Sequence, residues 1–69
     1  MADLFLSKEV FPADAIKTAR KAFSSLCDIS VAQNSNYTIC SFYNCKFDAE
    51  ITKREFENYL IDFLNSVHQ

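Results

Sequence analysis

The chain has 69 residues, 49% of them apolar and 14% aromatic, with seven Lys plus Arg against nine Asp plus Glu. That length fits one small domain, residues 1–69, and excludes a two-domain architecture. A net charge of −2 speaks against a nucleic-acid binder, which carries a basic face.

The sequence contains no glycine at all. A Walker-type phosphate loop, a dinucleotide-binding turn and a glycine nucleophile elbow are thereby excluded. So is the Gly-Gly pair that ubiquitin-like sulfur carriers use for adenylation. Any position needing positive φ falls to Asn, Asp or Ser, the remaining residues that best tolerate the left-handed region. No apolar run approaches the ~20 residues of a membrane span, and no signal-peptide pattern stands out. The expectation is a soluble, cytoplasmic domain without a membrane partner.

Leu4-Phe5-Leu6 and Val10-Phe11 bracket a polar Ser7-Lys8-Glu9, and residues 3–10 read as a strand. Pro12 follows where its fixed φ and missing N–H suit a helix start. Ile16, Ala19, Phe23 and Leu26 then recur at helical spacing, predicting a helix over 12–26. Asp14 lies early in it and Lys17, Arg20 and Lys21 later, the order the helix dipole favours.

Cys27, Ile29 and Val31 alternate with Asp28, Ser30 and Ala32, a half-buried strand pattern. Asn34-Ser35-Asn36 is the best turn candidate, and Tyr37 to Cys45 is a second strand closing an antiparallel hairpin. On that strand Tyr37, Ile39 and Tyr43 point one way while Cys40 and Phe42 point the other. Either both faces are covered or some aromatic and thiol groups stay partly exposed.

Thr52-Lys53-Arg54-Glu55 reads as a capping box, with Ile51 and Phe56 as its hydrophobic staple. Asp48 and Glu50 before it read as solvated loop charges. Phe56, Tyr59, Leu60, Phe63, Leu64 and Val67 then form a stripe at offsets of three and four, giving a helix from 52 to 67. The order is β-α-β-β-α, an α+β domain with two helices packed on one face of a three-stranded sheet. If the first two strands lie parallel, the crossover between them is right-handed.

Residues suited to chemistry are few. Cys40 and Cys45 face opposite sides of one strand, and Cys27, Cys40, Cys45 and His68 lack the tight pairs of a zinc site. An odd number of cysteines fits reduced, structural thiols. His68 lies next to the last residue, where a frayed imidazole makes a poor general base. Glu57 and Asp62 point apart on the helix, so they make no acid–base pair. No nucleophile–base–orienter set is present, so the expectation is a non-enzymatic chain with no catalytic residue, metal or cofactor.

The run Glu55-Phe56-Glu57-Asn58-Tyr59-Leu60-Ile61-Asp62 resembles the E-F-x-N-x-L-h-D motif, h being apolar, of HxsD-type small proteins of the His-Xaa-Ser system. Val10-Phe11-Pro12-Ala13-Asp14-Ala15-Ile16, with Ala19, Ala22-Phe23 and the strand near Cys27, is similar to that family's first half. The resemblance spans residues 4–67, with Phe56, Asn58, Leu60 and Asp62 at matching positions. After Asp62 this chain continues Phe63-Leu64-Asn65-Ser66, where the family tends to basic residues. The resemblance implies an accessory role beside a radical S-adenosylmethionine maturase and its repeat-containing target protein, with no reaction of its own.

A non-catalytic binding module is therefore the leading expectation. Two helices cover one sheet face, while Cys40 and Phe42 suggest apolar side chains on the other, inviting a protein or peptide partner or a second copy. Addition of an extended peptide to a sheet edge is the expected mode, and homodimerisation is equally economical. The expected partner-binding residues are Cys40, Phe42, Asn58 and Asp62, the last two one helical turn apart. The alternative is a thiol-dependent carrier or redox protein using Cys27 or Cys45.

Overall fold

Ala2, Leu4 and Leu6 alternate with Asp3 and Phe5, and in a computed structural model describing residues 1–67 they bury one side of strand β1, Ala2–Ser7. The strand stops three residues short of the expected end. The amides of Val10 and Phe11 both donate to the Ser7 carbonyl, at 3.1 and 2.9 Å, turning the chain toward the helix. Val10 is left exposed.

Helix α1 spans Ala13–Ala22, with Pro12 as its extended N-cap residue at φ −64° and ψ 150°. Ala15, Ile16 and Ala19 form its buried face. The helix ends four residues before the expected Leu26. The Ser24 hydroxyl donates to the Lys21 carbonyl at 2.8 Å, and short-range serine bonding of this kind competes with helical continuation. The Leu26 and Cys27 amides both close back on the Phe23 carbonyl. Phe23 and Leu26 nonetheless pack against the core from this turn, so their apolar spacing was real although the helix did not reach them.

Strands β2, Asp28–Gln33, and β3, Tyr37–Tyr43, form the expected antiparallel hairpin. Asn34 Oδ1 accepts from the amides of Asn36 and Tyr37 at 2.9 and 2.7 Å, an Asx-type turn that needs no glycine. β3 also pairs antiparallel with β1, giving the order β1-β3-β2. β1 and β2 therefore run parallel to one another with β3 inserted between them. The helix face of β3 carries Thr38, Cys40 and Phe42, all buried. Val31 shares that face, opposite Cys40, yet is 36% exposed because β2 is an edge strand.

Helix α2 spans Ala49–Val67, one turn more than expected at its start. Asp48, read as a loop charge, is its N-cap: Oδ1 accepts from the Glu50 and Ile51 amides at 2.9 and 3.1 Å. Glu50 lies inside the first turn and pairs with Lys53 at 2.9 Å. Thr52 is buried and its hydroxyl donates to the Asp48 carbonyl at 3.0 Å, so it does not cap. Ile51 is exposed and makes no staple with Phe56. The carboxylate, a strong cap a full turn upstream, prevails over the Thr52–Glu55 box.

Phe56 and Leu60 are fully buried, and Phe63 and Leu64 pack beside them. Phe56 meets Phe23 edge-on at 5.4 Å and Phe42 at 5.1 Å between ring centroids, joining α2, β3 and the turn that follows α1 in one aromatic cluster. The side chains of Leu4, Leu6, Ile29, Cys40 and Phe42 face the same cluster. Both helices thus cover one side of the sheet, as expected. No helix among the described residues is long and apolar enough to cross a membrane. His68 lies outside the described residues.

Candidate functional site

The opposite side of the sheet has no helix over it. Register fixes what it presents. Phe5 faces Ile39 across one pairing and Ala32 faces Ile39 across the other, an apolar row running over all three strands. Asp3, Ser41 and Ser30 form the next row, short and polar. Beyond it Tyr43 stands opposite Asp28, and at the other end Tyr37 stands opposite Ser7.

The apolar row is held in shape from within. Phe5 and Tyr37 meet edge-to-face, centroids 6.2 Å apart and planes at 79°. Phe5 remains 58% exposed even so. Tyr37 and Tyr43 are also exposed, each offering an apolar ring with a hydroxyl at its tip. At the Tyr43 end, Asn44 donates through Nδ2 to Asp28 Oδ2 at 3.0 Å. The face is an apolar strip bordered by hydroxyls and two carboxylates, the composition of a docking surface.

Of the four residues expected to meet a partner, Cys40 and Phe42 are each 0% exposed and sit on the helix side of β3. The face assignment was inverted. Alternation shows that Cys40 and Phe42 share a side, but either set of β3 residues is apolar enough to be the core. The two tyrosines were the usable signal, since a phenol with no buried hydrogen-bond partner belongs on the wetter side. Asn58 and Asp62 are exposed on α2, and α2 packs on the far side of the sheet from Tyr37 and Ile39. The four residues do not come together as one site.

The thiols are mostly enclosed. Burial pushes the Cys27 thiol up from 9.0 to about 12, helped by hydrogen bonding and charge repulsion from Cys45. A backbone hydrogen bond at Tyr43 partly opposes this, and Asp28 adds to it. Burial likewise pushes Cys40 up to about 11, against the favourable charge of Arg20. Cys45 is half-buried. Among the described residues no group of three or more His, Cys, Asp or Glu side chains is placed to hold a metal ion.

Shallow clefts indent the described surface. One of about 120 Å³ lies between Ile16 and Arg20 of α1 and Val31 of β2. Two of about 230 and 250 Å³ lie beside Cys27 and at the Ser7–Asn36 corner. All fall below the ~300–1,000 Å³ of small-molecule sites. In the first two, Arg20 is partly committed, its Nε donating to the Ile29 carbonyl at 2.9 Å.

Comparison of the chain with protein-family models, with curated proteins and with solved structures finds no match.

Proposed function

We propose that this protein is a small non-catalytic binding module that docks a protein or peptide partner on the open face of its sheet. The observation that carries this is the Phe5–Ile39–Ala32 row, exposed at Phe5 and Ala32 and half-buried at Ile39, with Tyr37 beside it. An apolar strip crossing a whole sheet is costly to leave in water, and such strips mark interaction sites. Covering the second face of the sheet would also add buried apolar area to the small core of so short a chain.

The absence of catalysis is part of the same reading. Asp48 caps a helix, Glu50 is paired, Glu55 and Asp62 are exposed, and burial favours the protonated form of the Cys27 and Cys40 thiols. The likeness of residues 4–67 to HxsD-type proteins agrees with an accessory role. It makes a radical S-adenosylmethionine maturase, or the repeat-containing target of one, the first partner to try.

The test is amide chemical-shift mapping of the labelled domain titrated with the candidate maturase or target, and with itself by dilution. Shifts concentrated at Phe5, Ala32, Tyr37 and Ile39 support the reading. Binding that leaves those amides unchanged, or no binding at any concentration, overturns it.

A further inference from the structure

The pairing of β2 with β3 ends at Asp28 and Tyr43, and one further backbone bond follows it, shifted by one residue. Asp28 faces Tyr43 in the regular register, yet the Lys46 amide donates to the Leu26 carbonyl at 2.8 Å. The extra residue is Asn44, whose φ of 51° is the only positive value among the described non-glycine residues. One residue in the left-handed region, unpaired, bending the strand: this is a β-bulge.

The bulge decides what faces what. The bond from the Lys46 amide to the Leu26 carbonyl brackets Cys27 and Cys45 just beyond the last ladder pair and brings the two segments together there. Residues bracketed by one cross-chain backbone bond come within reach of the ~4.4–6.8 Å Cα separation that a disulfide spans. The Cys27 thiol donates to the Asp28 carbonyl at 3.4 Å, and Cys45 lies near enough to bear on its ionisation. Cys40 is elsewhere, facing Leu4 on one side and Val31 on the other.

We propose that Cys27 and Cys45 are a redox modification site, a dithiol that closes reversibly to an intramolecular disulfide by exchange with a low-molecular-weight disulfide such as oxidised glutathione. Cys45 is the entry point, being half-exposed where Cys27 is buried. Its thiolate attacks one sulfur of the small disulfide, whose S–S bond breaks and releases one small thiolate. The mixed disulfide on Cys45 is then attacked by Cys27 Sγ. The Cys27–Cys45 bond forms as the second small thiolate leaves. The two protein thiols give up two protons and two electrons, and the small disulfide becomes two thiols.

Burial favours the protonated form of Cys27 at neutral pH, so the second step waits on its ionisation. Its rate rises about tenfold per pH unit while the Cys27 thiolate stays a minor species. Closing the bond fastens the segment entering α2 to the start of β2, on the seam between sheet and helices. It leaves the open face untouched, so this inference does not depend on the proposed docking surface.

The test uses the full chain, reduced and then equilibrated in glutathione buffers of rising oxidised fraction, quenched with acid and alkylated. Intact mass is read for the wild type and for Cys40→Ser, Cys27→Ser and Cys45→Ser. The expected product is a monomer lighter by about 2 Da, the two lost hydrogens, with one thiol left to alkylate. Cys40→Ser still closes, and Cys45→Ser does not. Should Cys27→Ser fail to fold, fragment spectra of the oxidised wild type locate the bond between residues 27 and 45. A bond that includes Cys40, a glutathione adduct that never resolves, cross-linked dimers only, or three alkylated thiols after oxidation each overturns the proposal.

Discussion

The rings of Phe42 and Phe56 meet edge-to-face at the centre of the molecule, centroids 5.1 Å apart and planes at 77°, and neither has any exposed surface. This contact is where the central strand is fastened to the long helix. Replacing Phe56 by Ala removes it together with the 5.4 Å contact to Phe23. The cost of such a truncation is ~3–5 kcal/mol. Small domains have ~5–15 kcal/mol of stability in all. Phe56→Ala is therefore expected to lose most of its cooperative urea transition, followed by circular dichroism, whereas Phe56→Leu keeps a weakened one.

The open face makes the opposite prediction. Phe5→Ser and Tyr37→Ser each remove one ring of an exposed aromatic pair, worth ~0.5–1.5 kcal/mol beyond burial. Both variants are expected to fold and to lose self-association or partner binding in sedimentation velocity. Asn58→Ala and Asp62→Ala, on the helix across the sheet, are expected to bind as the wild type does. The reverse pattern would put the docking surface on α2.

Capping of α2 separates two local readings of one stretch of sequence. Asp48 accepts from two helix amides, so Asp48→Ala is expected to cost about 1 kcal/mol in urea titrations, within a usual range of ~0.5–2. Glu55 is exposed, and Glu55→Ala is expected to change stability by no more than ~0.5 kcal/mol. A capping box starting at Thr52 would make Glu55 the costly position.

Stability should fall in alkali. In the folded chain Cys40 is raised to about 11 and Cys27 to about 12 from 9.0, chiefly by burial. The unfolded chain therefore releases these protons first. With fewer protons bound to the unfolded state, unfolding free energy decreases as pH rises. The contribution is complete below pH 9 and is lost progressively between 9 and about 12. Urea midpoints measured across that range are expected to decline, and Cys40→Ala is expected to decline less steeply than the wild type. A flat profile would mean that water reaches these thiols.

Much of this fold is written in short stretches of sequence. The order β-α-β-β-α follows from local periods: the 3.6-residue stripe through Phe56 and Leu60, the alternation of Cys27 and Ile29 with Asp28 and Ser30, and the Asn34 turn. These depend on neighbours a few residues away, and the physics that sets them acts at that range. The lack of glycine was informative in the same way, since the one left-handed position fell to an asparagine.

Tertiary structure alone decided the rest. A period of two says that Cys40 and Phe42 share a side and that Tyr37 and Ile39 share the other; which side the helices take depends on where β1 and α2 arrive from far along the chain. The sheet face expected to lie open was inverted for that reason. The nearness of Cys27 to Cys45 was hidden likewise, because it turns on a one-residue shift at Asn44. Long-range register is a property of packed strands, and neither partner carries it by itself.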